Sequence, residues 1–115
     1  MSVSEEYLVF VIDQLSYLGP IRIRRMFGGA GIYYEGHFFA IVADDVLYFK
    51  VDDSNRRDYE AAGMEPFTFT VDDKEAVMSF YEVPVDVLEN KEKVSQWALK
   101  AICVAQSAKR KSEKN

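Results

Sequence analysis

Residues 24–50 decide the fold, and they read RRMFGGAGIYYEGHFFAIVADDVLYFK. Two pairs of turn-forming residues, Glu35 with Gly36 and Asp44 with Asp45, divide the second part of this stretch into three apolar and aromatic segments. Connections of this length join antiparallel strands, because a parallel crossover needs about a dozen residues or more. The stretch therefore predicts an antiparallel meander, whose strands span residues 30–34, 37–42 and 46–51.

A further strand is predicted just before the meander, over residues 21–27. Ile21 and Ile23 alternate there with Arg22 and Arg24, which is the pattern of a strand with one buried face. Glycines follow this strand at short intervals, at Gly28, Gly29 and Gly31. Glycine at this density inside a strand pattern indicates a bulge, a sharp bend or the close approach of another backbone.

The first helix is predicted over residues 4–18. Ser4 caps it alone, or Ser2 and Glu5 form a capping box. Gly19 and Pro20 end the helix, because proline cannot continue its hydrogen bonds. Its apolar side chains recur at helical spacing, at Leu8, Val11, Ile12, Leu15 and Leu18.

A second helix is predicted to run to about Ala62 and to end at Gly63, a residue suited to a left-handed C-terminal position. Its N-cap candidates are Asp52, Asp53 and Ser54. Beyond it, two strands are predicted over residues 67–71 and 76–83, with a polar turn between them. Met78 and Phe80 are expected to pack in the second of these strands.

The last helix is predicted to begin at Asp86, with Glu89 as its capping-box partner. An apolar stripe follows it over several turns, at Leu88, Val94, Trp97, Ala98, Ala101, Ile102 and Ala105. A basic and polar tail is predicted over residues 108–115, so the domain is predicted to span residues 1–107.

These elements predict a two-layer α+β fold, in the order helix, three or four strands, helix, two strands, helix. One antiparallel sheet with helices on one face accounts for all of them. If Tyr34, Phe39 and Phe49 fill the core, other aromatic side chains remain for the opposite face, namely Tyr33, Phe38 and Tyr48. That face is predicted to be solvated or covered by a partner, because an exposed apolar sheet face usually marks an interface.

Composition indicates one globular domain of 115 residues with a net charge of -5. This acidic balance argues against a protein that neutralises DNA phosphates over a broad surface. Cys103 is the single cysteine, so no internal disulfide forms and the reducing cytoplasm is the expected compartment. Neither a signal peptide nor a membrane-spanning segment is predicted.

No catalytic residue, metal site or cofactor is predicted from the motifs. The glycines after residue 27 lack the spacing and the lysine of phosphate-binding loops. His37 has no further metal ligands at useful spacing, and Cys103 is expected to be a small buried side chain beside the core stripe. The aspartate pairs suit turns and helix starts.

Arg22, Arg24 and Arg25 form the basic cluster inside the predicted domain. On a solvated strand face they contact phosphate or an acidic partner, or they simply keep the sheet soluble. Basic residues of the tail extend the patch if the tail folds back, namely Lys109, Arg110 and Lys111.

One run of residues carries a family resemblance: Arg25, Met26, Phe27, Gly28 and Gly29, followed by Gly31. Together with the later segments LYFKVD and YEVP, in this order, it resembles the TfoX N-terminal domain family over about residues 5–106. The resemblance implies the element order α-βββ-α-ββ-α and a fold similar to that of type III secretion chaperones, which often dimerise.

In function, the resemblance implies a regulator of natural competence that acts with the cAMP receptor protein at promoters for DNA uptake. It implies no catalytic residues. Full-length competence regulators carry a second, C-terminal domain that is the usual candidate for nucleic-acid contact, and residues 1–115 do not include it.

Three hypotheses follow from the sequence. The leading one is a non-enzymatic, cytoplasmic interaction domain, expected to form a homodimer and to serve a regulatory protein complex. The second is a nucleic-acid-binding module that uses the arginine cluster and the basic tail, with Tyr33 or Tyr48 as stacking surfaces. The third is a small enzyme or ligand-binding domain built on His37 and the glycine bend.

Overall fold

The computed structural model describes residues 4–26 and 28–113, with the side chains of Met26, Phe69, Val71, Ala76 and residues 109–113 outside that description. Its helices are α1 (Glu5–Gln14), α2 (Arg56–Ala61), α3 (Val85–Leu88) and α4 (Lys91–Glu113), with a 3₁₀ turn at Ser16–Leu18. Its strands are β1 (Arg22–Met26), β2 (Gly29–Tyr34), β3 (His37–Ala43), β4 (Val46–Lys50), β5 (Pro66–Val71) and β6 (Lys74–Glu82).

The strands form one antiparallel sheet in the order β1-β2-β3-β4-β6-β5. The first four strands follow one another as a meander, whereas β6 rather than β5 pairs with β4. β1 and β5 are therefore the edges. The predicted two-layer α+β fold is confirmed, with four strands before α2.

Two-residue turns set the register of three hairpins. The turn residues Glu35 and Gly36, Asp44 and Asp45, and Asp72 and Asp73 all have positive φ angles. Turns with two such residues match the twist of the flanking strands, and aspartate tolerates this conformation better than most residues. The turn at Asp72 and Asp73 is tighter than the sequence indicated, so β6 begins at Lys74.

α1 begins as the sequence predicted, with the Ser4 hydroxyl accepting a hydrogen bond from the backbone N–H of Tyr7 at 3.2 Å. The α-helix ends at Gln14, earlier than predicted, and a 3₁₀ turn continues to Leu18. Leu8, Val11 and Leu15 are buried, but Ile12 is 37% exposed. The stripe is therefore narrower than the apolar pattern suggested.

The start of α2 corrects the predicted caps. Asn55, and not an earlier residue, is the N-cap. The Asp52 carboxylate instead accepts a hydrogen bond from the backbone N–H of Ser54 at 2.8 Å. The side-chain oxygen of Asn55 accepts a second hydrogen bond, from the backbone N–H of Asp52 at 2.9 Å. The predicted end is confirmed, because Gly63 has a φ of 75°.

The last helix is interrupted, which the sequence prediction missed. Asp86 and Glu89 belong to the short α3 and its end, and α4 begins at Lys91. The Asn90 side chain accepts a hydrogen bond from the backbone N–H of Lys93 at 3.0 Å, which is the bond of an N-cap. The backbone of α4 continues past Ala108, where the sequence predicted a tail, to Glu113.

The main core lies between the helices and one face of the sheet. The sheet contributes three large buried side chains to this core, Ile32, Phe39 and Phe49. The helices contribute Val11 from α1 and Val94 and Ala98 from α4. The buried Gln14 links α1 to α3, because its side-chain N–H donates to the backbone oxygen of Leu88 at 2.8 Å. The helices thus cover one face of the sheet, and the opposite face holds a second, separate apolar cluster.

Candidate interaction site on the open sheet face

The second cluster lies on the sheet face opposite the helices, and we call this surface the open face. Its buried members are Ile41, Ala43, Phe67 and Phe80. Partly buried side chains surround them, namely Phe38, Tyr48 and Met78. Because the layer has no helix packed over it among the described elements, these rings form a surface and not a closed core.

Aromatic contacts hold the open face together. The rings of Tyr33 and Phe38 stack with centroids 5.0 Å apart, and Phe38 lies 5.2 Å from Phe80. Tyr48 and Phe67 form a second pair at 4.8 Å. Rings at these separations and tilts have favourable quadrupole interactions, so their positions are fixed before any partner arrives.

The division of aromatic residues between the two faces confirms the sequence prediction. Phe39 and Phe49 are fully buried under the helices, and Tyr34 packs against that core. Tyr33, Phe38 and Tyr48 are left on the open face, each only half-buried.

The structure separates the three arginines of the predicted cluster. Arg22 and Arg24 lie opposite Tyr33 and Gly31 of β2, and therefore project on the open face. Arg25 lies opposite Ala30, whose side chain faces the main core, and it forms an ion pair with Glu5 of α1. Arg22 and Arg24 form no ion pair with any described residue.

Further charges lie among the aromatic rings. The Lys50 ammonium sits 5.0 Å from the centroid of the Phe80 ring, and its partial burial lowers the pKa of Lys50. Glu82 lies opposite Tyr48 in the sheet. Burial raises the pKa of Tyr48, and the nearby carboxylates of Glu82 and Asp44 raise it further. The open face is therefore mixed in charge, and Arg22 and Arg24, which form no ion pair with the described residues, lie at its β1 edge.

The family motif has a structural explanation for two of its glycines. Gly28 has a φ of 76° in the turn between β1 and β2. A Cβ atom on Gly29 would overlap the backbone oxygen of Val42. The bend and the close backbone approach were both among the predicted alternatives. Gly31 lies between Arg24 and Ile41 on the open face, whereas Phe27 and the Met26 side chain fall outside the described residues.

The remaining candidates are scattered over the molecule. His37 lies beside the turn between β2 and β3, opposite Tyr34. Cys103 is exposed on α4, which corrects the expectation of a buried side chain. Among the described residues, no group of three or more histidine, cysteine or acidic side chains is arranged to hold a metal ion. Nor does any helix in the described ranges have the length and hydropathy needed to cross a membrane.

Sequence reasoning did not assign Phe67 and Phe80 to the same surface as Tyr48. Their alternation within β5 and β6 predicts that each strand has an apolar face, but not which face of the whole sheet it joins. The pairing of β4 with β6 decides this, because Lys50 opposite Phe80 fixes the face of the whole hairpin. A pairing between strands so far apart in sequence leaves no local signal.

Comparison with known families identifies a family for this chain. The family model described as the TfoX N-terminal domain matches residues 13–105, which covers all six strands and most of the helical layer. No curated protein matches the chain.

Proposed function

Because the chain belongs to the TfoX N-terminal domain family, we propose that it is a non-enzymatic regulatory domain that binds a protein partner through the open face. The process it serves is the transcriptional control of DNA transformation, in keeping with a competence-related family. The observation that carries the proposal is the uncovered aromatic layer of Tyr33, Phe38 and Tyr48.

Burial of this layer by a partner is favourable for two reasons. Tyrosine and phenylalanine supply a large apolar area at a small cost in conformational entropy, and tyrosine also offers a hydroxyl to a polar rim. The rings are already packed against one another, so binding requires little reordering. The cAMP receptor protein is the partner that the resemblance implies, and a second copy of this chain is the alternative occupant.

The test is capture of partners from native lysate by the tagged chain, with half of the lysate treated with nuclease. We expect a transcription regulator to be retained after nuclease treatment. The double variant Tyr33→Ser, Tyr48→Ser should lose it, while Tyr17→Ser should retain it, because Tyr17 is 64% exposed and lies outside the open face. Circular dichroism establishes that each variant is folded.

Retention of the same protein by the double variant would contradict the proposed surface. Sedimentation of the purified chain over a range of concentrations measures self-association. A dimer that the same double variant dissociates would assign the open face to a second copy instead.

A second candidate function has one specific observation in its favour, which is that Arg22 lies directly opposite Tyr33 on the open face. A guanidinium beside an aromatic ring is an arrangement that binds single-stranded nucleic acid. This alternative predicts binding to labelled oligonucleotides that weakens steeply with salt and is lost in Arg22→Ala, Arg24→Ala. Absence of binding at low salt would eliminate it.

A further inference from the structure

From the edge of the sheet we infer that β1 binds an acidic, extended protein segment as an additional strand. The segment carries carboxylates at two alternate positions, opposite Arg22 and Arg24, and an apolar residue between them, opposite Ile23. This inference rests on the proposed function, since it specifies the chemistry of the protein partner and the place at which its chain enters the open face.

The first argument is the state of the edge. β1 pairs with β2 along its five residues, from Arg22 with Tyr33 to Met26 with Gly29, and no other described strand pairs with its outer side. A strand in this position offers N–H and C=O groups to an incoming chain. The opposite edge, β5, is less suitable, because it begins with Pro66 and has a register shift next to that residue.

The second argument is charge. Arg25 is neutralised by Glu5, whereas Arg22 and Arg24 are exposed and form no ion pair with described residues, in a chain whose net charge is -5. The two side chains project on the same face about 7 Å apart, the length of two residues in a strand. Carboxylates separated by one residue in an added strand match this spacing directly.

The third argument is the residue between the arginines. Ile23 projects on the helix side, where it packs against the main core and remains partly exposed. A side chain opposite Ile23 in an added strand would extend that core, which favours an apolar residue there. Acidic and apolar residues must therefore alternate in the bound segment.

A nucleic acid fits this edge less well than a peptide does. It has no backbone groups that continue a β-ladder, and its affinity depends on many cations. Glu82 lies opposite Tyr48, in the row of paired residues that crosses the sheet from Arg24. Its carboxylate therefore lies on the same face as Arg24. A polyanion lying across the open face would meet that carboxylate, whereas a short strand at the edge would not.

The experiment measures fluorescence anisotropy of a short labelled peptide in which glutamate alternates with valine. We expect saturable binding that weakens about five- to tenfold in Arg22→Gln, Arg24→Gln, the loss expected for two cross-strand charge pairs. Arg25→Gln and Arg57→Gln are the matched controls, one on the other face of β1 and one on α2, and both should bind as the unaltered chain does.

Two further peptides separate strand addition from simple charge attraction. A peptide of the same composition with its glutamates in one block, and the alternating peptide with N-methyl groups on alternate residues, should both bind at least about tenfold more weakly, because the first loses the register and the second the backbone hydrogen bonds. The charge-reversed variant Arg22→Glu, Arg24→Glu should bind an alternating lysine–valine peptide instead.

Equal binding of the blocked or N-methylated peptide would overturn the inference, as would equal losses in the two control variants. If the peptide fails to bind but the lysate partner is still captured through Tyr33 and Tyr48, the edge inference fails and the proposed function stands. If an oligonucleotide binds through Arg22 and Arg24 and the peptide does not, both give way to the nucleic-acid alternative.

Discussion

Gly29 begins β2 beside β3, and the space for its missing side chain is taken by the backbone oxygen of Val42. Backbone in the middle of a sheet has little freedom to move aside. We expect Gly29→Ala to lower the free energy of unfolding by roughly 3 kcal/mol, the upper end of the cost of overpacking. Urea denaturation monitored by circular dichroism measures this change.

Gly36→Ala is the control for this prediction. Gly36 has a φ of 82° but open space around its missing side chain. Its substitution should cost only the conformational strain of alanine, about 1–2 kcal/mol. If Gly36→Ala proved as destabilising as Gly29→Ala, the close approach to Val42 would not explain the requirement for glycine at position 29.

For single residues, the sequence predicted the backbone geometry at the glycines but not which side chains the arginines contact. A dense glycine run limits the backbone to a few alternatives, and both the turn at Gly28 and the close approach at Gly29 were among them. By contrast, the arginine cluster read as one basic patch, and only the strand pairing shows that Arg25 belongs to the other face and pairs with Glu5.

Asn90 begins α4, and at the scale of the element it is the residue that fixes where the long helix starts. We expect Asn90→Ala to lower the free energy of unfolding by about 1 kcal/mol, because the backbone N–H of Lys93 loses its acceptor. Thermal or urea unfolding provides the measurement. Glu89→Ala should have little effect, since Glu89 is exposed and its side chain forms no hydrogen bond with the described residues. A loss as large as that of Asn90→Ala would instead support the predicted capping box.

Helix and strand positions were mostly predictable, because apolar periodicity and turn residues are local signals. The interruption between α3 and α4 was not. The sequence offers two reasonable starts for the long helix, one at Asp86 and one at Asn90. The start at Asn90 is favoured because Leu88 packs in the core and its backbone oxygen accepts a hydrogen bond from Gln14. Tertiary contacts outweigh a local capping preference of about 1 kcal/mol.

Alkaline pH provides a test of the whole molecule, because the partly buried Tyr7 and the buried Tyr59 hold their protons more tightly in the folded state. Burial raises the pKa of Tyr7 to about 12, with a hydrogen bond to the Leu47 backbone opposing the rise and the charge of Asp45 adding to it. Burial also raises the pKa of Tyr59, whose hydroxyl has no hydrogen-bond partner among the described residues.

The sign of the effect follows from which state loses its protons first. Above about pH 10 the tyrosines of the unfolded chain ionise, while Tyr7 and Tyr59 in the folded protein remain neutral. Stability is therefore at its full value below that pH and decreases as the pH rises, by up to about 1.4 kcal/mol per pH unit for each tyrosine. Urea midpoints between about pH 8 and pH 11 should show this decrease.

Tyr59→Phe is the control, because it removes one of the two ionisable groups and keeps the aromatic ring. In the unaltered chain this ring lies 4.7 Å from the ring of Trp97, measured between centroids. The variant's stability should decrease less steeply with pH than that of the unaltered chain. An identical slope in the two proteins would show that Tyr59 ionises equally in the folded and unfolded states.

The whole molecule also shows the limit of prediction from sequence. The two-layer architecture and the surplus of aromatic side chains follow from patterns within single strands. The extent of the open face does not, because it depends on β6 entering the sheet beside β4 and bringing Phe80 next to Phe38.

The same pairing has a consequence for local stability. β4 and β6 share three residue pairs, from Tyr48 with Glu82 to Lys50 with Phe80, and the backbone N–H of Val51 also donates to the Ser79 oxygen at 2.9 Å. Residues 74–77 of β6 pair, among the described strands, with β5 alone. The meander of β1 to β4 closes through short turns, whereas the junction with β6 must close a long loop that includes α2. Native-state hydrogen exchange should therefore resolve the outer hairpin as a unit that opens at lower free energy than the meander.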